Sequence, residues 1–224
     1  MRTTGSTAFA AVTLVVAVLC AGPTWGGAAR HSSKRAAAPA VAVSMETRRF
    51  AAWVIASGDS QAMPFVVIDK KNAEISVYYP DGRLRGAGPA LLGLAKGDDS
   101  VPGIGQRKLS AIRPEERTTP AGRFVGSLGN DLGARNVVWV DYDAGISLHR
   151  VVTSNPKERR LQRLATSSPR DKRISYGCIN VPAGFYDRVV EPTFTGASGI
   201  VYILPEVRSM QSVFPTYEAN RVGN

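Results

Sequence analysis

The sequence predicts a β-rich α+β fold, a mixed or antiparallel β-sandwich with a few peripheral helices. Apolar segments of strand length recur along the chain, several of them joined by hairpin-length turns, and helical periodicity is confined to short stretches. The chain has 224 residues, with 44% hydrophobic and 21% charged content, which is typical of a globular protein. This length suits one domain with appendages.

The first 29 residues are predicted to be a secretory signal peptide. Arg2 is the only charge among them, Ala8 to Leu19 is almost wholly apolar, and small residues precede Arg30. The apolar run falls short of the roughly 20 residues that a transmembrane helix needs. The protein is therefore expected to be exported to the periplasm or cell envelope and to meet the membrane only transiently. An uncleaved anchor is the alternative interpretation.

The remaining chain is predicted to have three parts. Residues 30–62 form a linker followed by one helix, in which Phe50, Trp53 and Val54 recur at helical spacing. Residues 63–206 form the main domain, and residues 207–224 form a C-terminal tail. Apolar runs and turn residues predict strands over 65–68, 73–78, 84–92, 123–127, 137–142, 146–151 and 199–204.

Two segments of the main domain are predicted to be helical. Asn155 followed by Pro156 is typical of a helix start, and residues 155–172 are read as a helix and a polar loop. This helix is expected to turn Leu161 and Leu164 inward. It is expected to turn outward the cations Arg159, Arg160 and Arg163. A second helix is predicted from Pro182 to Glu191.

Cys178, in the segment 173–181, is the strongest candidate for chemistry. Cleavage after residue 29 would remove Cys20 and leave this thiol alone, whereas exported proteins usually pair their cysteines. It follows Gly177 and lies ahead of a predicted helix, whose first amides favour an anion. We interpret it as a reactive nucleophile. A buried, inert cysteine is the alternative.

His149 is the histidine placed to serve that thiol. The other histidine, His31, lies in the predicted linker. Along its strand, His149 shares a face with Ser147 while Ile146 and Leu148 face the core. A catalytic thiol needs a base or a positive field, although a core histidine with both nitrogens satisfied is an equally simple interpretation. Backbone amides around residues 176–178 could form an oxyanion hole for acyl transfer.

Other chemistries fit less well. One cysteine and one histidine are too few for the usual zinc sites, and no cofactor is expected. The serine-hydrolase turn Gly-x-Ser-x-Gly does not occur. The formal net charge of +10 favours anionic partners such as cell-wall polymers, or simply aids solubility. The basic residues are scattered and carry no nucleic-acid-binding signature.

Three motifs in order resemble a known family. Thr119-Pro120-Ala121-Gly122-Arg123-Phe124 comes first, His149 follows, and Ser175-Tyr176-Gly177-Cys178-Ile179-Asn180 comes last. Together they resemble the L,D-transpeptidase (YkuD-like) catalytic domain. Its signature is a Thr-Pro-x-Gly-x-Phe turn, a His, a spacer, and Ser/Thr-His-Gly-Cys-x-Asn/Arg. The resemblance covers about Pro64 to Leu204, assigns 63–206 as the catalytic domain, and implies a sandwich of that type.

The resemblance implies a role for each matching residue. Cys178 would be the nucleophile and His149 its general base, with the backbone carbonyl of Arg150 orienting the imidazole. The oxyanion and substrate-binding positions would be Ser175, Tyr176, Gly177 and Asn180. Such enzymes attack the bond between diaminopimelate and D-Ala in a peptidoglycan stem tetrapeptide, release D-Ala and form a thioester. They are involved in cell-wall biogenesis and are typically acylated by carbapenems.

The acyl acceptor is left open by the sequence. An amine of another stem would give a 3→3 cross-link, and the lysine of an envelope lipoprotein would give protein attachment. Water would make the protein a murein hydrolase or L,D-carboxypeptidase on the same fold. A non-catalytic wall-binding module is the alternative from another class, and the oligomeric state is not predicted.

The chain departs from the family pattern in three places. Tyr176 stands where the motif has His, and Arg150 stands where the catalytic His is commonly followed by Gly. The spacer between His149 and Ser175 is longer than usual because of the 155–172 insertion. We hypothesise that the insertion forms a basic lid that selects an acidic substrate or an unusual acceptor. A solvated surface helix is the simpler interpretation.

Overall fold

The computed structural model describes residues 42–131 and 136–218. The predicted signal peptide lies outside these residues. Within the described ranges, no helix combines the length and the apolar character needed to cross a membrane.

Ten strands form the framework of the described residues. They are β1 (Phe65–Asp69), β2 (Glu74–Tyr78), β3 (Leu84–Pro89), β4 (Leu92–Gly93), β5 (Gly122–Asn130), β6 (Asn136–Asp141), β7 (Ile146–Arg150), β8 (Arg173–Ser175), β9 (Ile179–Val181) and β10 (Gly199–Ile203). Eight of them form one sheet in the order β3-β2-β1-β10-β5-β6-β7-β9, while β4 and β8 pair separately. The pairs β1–β10, β7–β9 and β4–β8 are parallel and the others antiparallel. The predicted β-rich fold with mixed strand pairing is confirmed.

Strand β5 joins the two halves of the large sheet. Its first part pairs with β10, and its second part, from Ser127 onward, pairs with β6. One apolar cluster takes buried side chains from both halves, including Val66, Ile203, Val138 and Leu148. The sheet therefore folds over a shared core, as expected of a sandwich.

The helices are short and peripheral. They are α1 (Met45–Ser57), α2 (Arg160–Ala165), α3 (Ala183–Phe185), a π-helical turn (Tyr186–Val190), α4 (Glu191–Phe194) and α5 (Met210–Val213). Turns of 3₁₀ helix cover Ile104–Gln106, Leu109–Ala111, Pro114–Glu116, Pro156–Glu158 and Pro169–Lys172. The helix predicted from Pro182 to Glu191 is present, but it is built from α3, the π turn and α4.

Helix α1 matches the helix predicted at the N-terminal end of the domain. The Ser44 hydroxyl caps it by accepting from the Thr47 amide, and Gly58 ends it in the left-handed conformation. Phe50 and Trp53 pack in a second buried cluster, which includes Tyr202 and lies on the other face of the sheet. The C-terminal segment covers the same cluster through Phe214 and Tyr217.

The helix predicted from Asn155 is wrong in part. Asn155 caps only a 3₁₀ turn, and the left-handed conformation of Arg159 (φ 50°) breaks the helical path before α2 begins. Leu164 is buried as predicted, but Leu161 is 57% exposed. Because α2 has only six residues, it adds a single apolar side chain to the core. Arg160, expected to face outward, turns inward.

Candidate active site

Two neighbouring parallel strands bring the predicted residues together. His149 on β7 lies in register with Asn180 on β9, and Leu148 lies in register with Ile179. Paired residues of parallel strands project to the same side of the sheet, and alternate residues share a face. Ser147, His149, Cys178 and Asn180 therefore lie on one side, although 29 residues separate His149 from Cys178 in sequence.

The thiol of Cys178 is surrounded by groups from β7. Against the effect of its burial, the His149 imidazole and the Ser147 backbone amide both favour the thiolate and lower the pKa of Cys178. The Ser147 hydroxyl lies 3.6 Å from Sγ, and the Gly145 carbonyl lies 3.5 Å from it. Cys178 is the free cysteine of the described residues and is partly exposed.

The His149 ring is held by the backbone of the next residue. Its Nδ1 lies 2.7 Å from the carbonyl oxygen of Arg150. A carbonyl only accepts, so this contact selects the tautomer with the proton on Nδ1 and turns Nε2 toward the thiol. The predicted juxtaposition of His149, the Arg150 carbonyl and Cys178 is thus present.

The two groups shift one another toward an ion pair. Burial opposes charge on both, but it is outweighed by their mutual hydrogen bond and charge interaction. The net result is a pKa of Cys178 below, and a pKa of His149 above, their ordinary values. The Arg150 carbonyl also favours the imidazolium, and the Ser147 contacts favour the thiolate. A thiolate beside an imidazolium is the reactive form of a catalytic cysteine.

The side chain of Arg150 ties strand β7, which carries His149, to the segment 186–191. Its guanidinium bonds Asp187 and Glu191, each at 2.6 Å, and stacks 4.3 Å from the Tyr186 ring centroid. These partners lie on the π turn and on α4. The residue that replaces the family's usual glycine thus ties β7 to a helix at the point where its carbonyl holds His149.

The loop before Cys178 is fixed by its own hydrogen bonds. The Ser175 hydroxyl donates to the Cys178 carbonyl at 2.6 Å and accepts from the Gly177 amide at 3.1 Å. Gly177 has φ +130°, and a Cβ there would lie 2.7 Å from Ile146 Cδ1 and 2.7 Å from the Thr118 carbonyl oxygen. Only glycine fits this position without displacement. The Gly177 amide is therefore engaged within the loop.

Thr119 locks the same loop from the opposite side. Its buried hydroxyl donates to the Gly177 carbonyl at 2.8 Å and accepts from the Gly93 amide at 2.9 Å. Sequence reasoning quoted Thr119 as part of a motif but gave it no role. The signal was the motif itself, in which a small hydroxyl residue precedes Pro120 at a turn.

Tyr176 is held away from the thiol contacts. The Arg117 guanidinium lies 4.0 Å from the centroid of its ring, a cation–π geometry. The thiol is instead contacted by residues of β7 and the turn before it. The phenol therefore occupies the motif position without replacing an imidazole at the sulfur.

Asn180 links the site to the insertion. It is fully buried, its Nδ2 donates to the Cys178 carbonyl at 3.2 Å, and its Oδ1 accepts from Arg160 Nη1 at 2.7 Å. Arg160 also pairs with Glu158 at 2.5 Å. Its charge lies near enough to His149 to oppose protonation of the imidazole. Sequence reasoning missed both Arg160 and the thiol contact of Ser147.

One predicted contribution to the site is not supplied. The first amides of the helix after Pro182 were expected to favour the thiolate. Strand β9 lies between Cys178 and that helix, and the influence of a helix end falls off within its first turn. Among the described residues, no cluster of three or more His, Cys, Asp or Glu side chains could hold a metal ion.

Comparisons with known proteins give structural matches only. No protein-family profile matches the chain, and no curated protein matches it. Solved structures of L,D-transpeptidases resemble it. The catalytic domain of the Enterococcus faecium enzyme is 17% identical, with 63% of this chain and 96% of that chain covered and a TM-score of 0.34. A Mycobacterium tuberculosis L,D-transpeptidase is 17% identical, with 62% and 57% covered and a TM-score of 0.38.

A cell-shape protein is also among the matches. The helical cell shape determining protein Pgp2 of Campylobacter jejuni is 16% identical, with a TM-score of 0.43. The match covers 72% of this chain and 56% of that chain. This chain thus spans little more than half the length of the Pgp2 and M. tuberculosis structures. At these scores the matches carry no mechanistic argument, and the chemistry is argued from the site itself.

Proposed function

We propose that the protein is a cysteine acyltransferase of the L,D-transpeptidase type, with residues 63–206 as its catalytic domain. Its substrate would be a peptidoglycan stem tetrapeptide, and its acceptor an amine of another stem or of an envelope lipoprotein. Cys178 is the nucleophile and His149 the general base. The predicted signal peptide in residues 1–29 would deliver the protein to the envelope, where this substrate lies.

In the first half-reaction the Cys178 thiolate attacks the carbonyl carbon of the bond between diaminopimelate and D-Ala. The tetrahedral oxyanion accepts hydrogen bonds from the amides of Tyr176 and Cys178. His149 then gives its Nε2 proton to the departing D-Ala nitrogen as the C–N bond breaks. The products are free D-Ala and a thioester on Cys178.

In the second half-reaction an amine attacks the thioester carbonyl. His149, now neutral, removes a proton from that amine, and the C–S bond breaks to return the thiolate. The Arg150 carbonyl holds the ring in one orientation throughout, so that Nε2 serves both proton transfers. Ser147 steadies the sulfur each time it becomes anionic.

The observation that carries this proposal is the geometry around the thiol: the Ser147 hydroxyl lies 3.6 Å from Cys178 Sγ, and His149 Nδ1 lies 2.7 Å from the Arg150 carbonyl oxygen. The lowered pKa of Cys178 and the raised pKa of His149 agree with this geometry. A structural cysteine would be buried in apolar surroundings, where its pKa would rise. The test is to incubate residues 30–224 with a carbapenem and to measure the intact mass. We expect a single adduct that is absent from Cys178→Ala.

Product analysis identifies the acceptor. Wild-type protein and Cys178→Ala are incubated with purified stem tetrapeptide, with and without an added amine, and the muropeptides are separated by mass. A cross-linked or amine-extended product supports transfer, and a tripeptide in the absence of amine indicates hydrolysis. Binding of the stem with neither adduct nor product would replace the proposal by a non-catalytic wall-binding module.

A further inference from the structure

A basic cavity lies beside the β4–β8 pair, whose strand β8 leads into the loop that carries Cys178. Its volume is about 660 Å³, and its lining includes Lys71, Lys96 and Arg170 beside the apolar side chains of Leu94 and Pro169. The Leu94 amide donates to the Ser175 carbonyl at 2.9 Å, so the cavity wall continues directly into the loop that carries Cys178. Arg170 and Pro169 belong to the insertion.

The cations of this cavity exceed its acids. Glu206 is the one acid of the lining, and it is matched by Arg173 at 2.5 Å and by Lys70 at 3.9 Å. Within 42–131 and 136–218, Lys96 and Arg170 form no ion pair. Lys71 has one partner, Glu46 at 3.3 Å, and half of its side chain is exposed. An exposed pair of this kind contributes little and is readily exchanged for a ligand.

The rear of the cavity is rigid. Lys70 is fully buried, and its Nζ donates to Asp98 at 2.6 Å and to the carbonyls of Gly97 and Thr119 at 2.6 and 2.8 Å. Arg173 is bound to Glu206 and to the Lys70 carbonyl. These groups are already satisfied, so they shape the cavity. Lys96 and Arg170 supply its unmatched charge, and Lys71 adds a cation whose exposed pair with Glu46 can be exchanged.

We propose that this cavity binds an acidic peptide through two or more carboxylates. Its volume lies in the range of pockets that hold small ligands. Carboxylates suit the ammonium of Lys96 and the guanidinium of Arg170. Leu94 and Pro169 suit the aliphatic carbons between them, which a bare phosphate chain lacks. The inference rests on the proposed function only in taking a wall stem peptide as the natural source.

The test measures binding on the Cys178→Ala protein, so no acylation can contribute. The probe is an N-acetylated, C-amidated triglutamate peptide, titrated by calorimetry at low and at physiological salt. We expect binding that weakens with salt and that falls about tenfold in Lys96→Ala/Arg170→Ala. The matched control is Arg49→Ala/Lys108→Ala, which removes the same charge at exposed positions away from the cavity and should bind as Cys178→Ala does.

Two further measurements and the comparison of the two double variants decide the result. Lys96→Glu should weaken binding of the triglutamate peptide further than loss of the lysine charge alone, because it adds a carboxylate that repels the peptide. Equal losses in both double variants would show a general charge effect and overturn the site. Tight binding of inorganic tripolyphosphate with no binding of the peptide would overturn the acidic-peptide assignment. The binding assay uses Cys178→Ala, so it does not depend on acylation. A failure to bind the peptide therefore leaves the carbapenem result standing, and a failure of acylation leaves the binding result standing.

Discussion

Two regions of this protein hold charge away from water, and they do so differently. Around Lys70 each buried charge has several fixed partners, and the pKa of Asp98 falls to about 2 because backbone amides and Lys70 outweigh its burial. Around Cys178 the thiol and imidazole chiefly stabilise each other. The first region is held by fixed hydrogen bonds, although burial lowers the pKa of Lys70 itself. The second can gain or lose a proton, as an acyl-transfer site requires.

One residue belongs to both regions. The Thr119 carbonyl accepts from Lys70 Nζ at 2.8 Å, and its hydroxyl donates to the Gly177 carbonyl at 2.8 Å. The group of buried charges around Lys70 and Asp98, called here the saturated cluster, therefore supports the loop that positions Cys178 beside His149. We expect changes at Cys178 to alter reactivity with little effect on stability. We expect changes at Lys70 to lower stability with a smaller effect on reactivity.

The largest effect is expected from removing the thiol. Cys178→Ala should lower transfer activity by roughly 10⁴-fold or more, because no other group on the strand can form the acyl intermediate. The melting temperature should change by only a few degrees, since the change removes one sulfur atom and keeps the Cys178 carbonyl that accepts from Ser175 and Asn180. Activity is followed by D-Ala release and stability by circular dichroism. Residual turnover near the wild-type rate would remove Cys178 as the nucleophile.

The next effect is on stability. Lys70→Met should lower the free energy of unfolding by about 3–5 kcal/mol, because it leaves the buried Asp98 carboxylate without its cation. Urea unfolding measures the loss. If this variant does not fold, the double variant Lys70→Met/Asp98→Asn restores charge balance and should recover part of the stability. A double variant less stable than Lys70→Met would contradict the idea of a saturated cluster.

Sequence reasoning reached the reactive region more readily than the structural one. Alternation along 146–151 placed Ser147 and His149 on one face, and the motif around Cys178 pointed to the thiol. It could not find Lys70, whose partners lie 28 and 136 residues away at Asp98 and Glu206. Such long-range pairing leaves no local pattern. Arg160 was missed for a related reason, since the left-handed Arg159 interrupts the helix that was expected to turn it outward.

The acid–base behaviour of the thiol sharpens the comparison. Because the pKa of Cys178 is lowered, its alkylation should extend to lower pH than that of an ordinary thiol and should fall as pH drops through the lowered pKa. Acyl transfer also needs the imidazolium as proton donor, so it should fall as pH rises through the raised pKa of His149. His149→Gln removes the partner while burial still raises the thiol pKa, so alkylation by iodoacetamide at pH 7 should slow at least tenfold. An unchanged rate profile would mean that the imidazole does not activate the thiol.

The smallest effect tests the link between the regions. Thr119→Val keeps the shape of the side chain and the carbonyl that binds Lys70, but removes the hydrogen bonds to the Gly177 carbonyl and from the Gly93 amide. Leaving buried groups unpaired costs about 1–3 kcal/mol. We expect the free energy of unfolding to fall by about 1 kcal/mol. Activity should fall several-fold because Gly177 and its neighbouring amides are less firmly placed. Thr119→Ser retains the hydroxyl and should restore both properties. If Thr119→Val loses stability but keeps full activity, the saturated cluster and the reactive pair are independent.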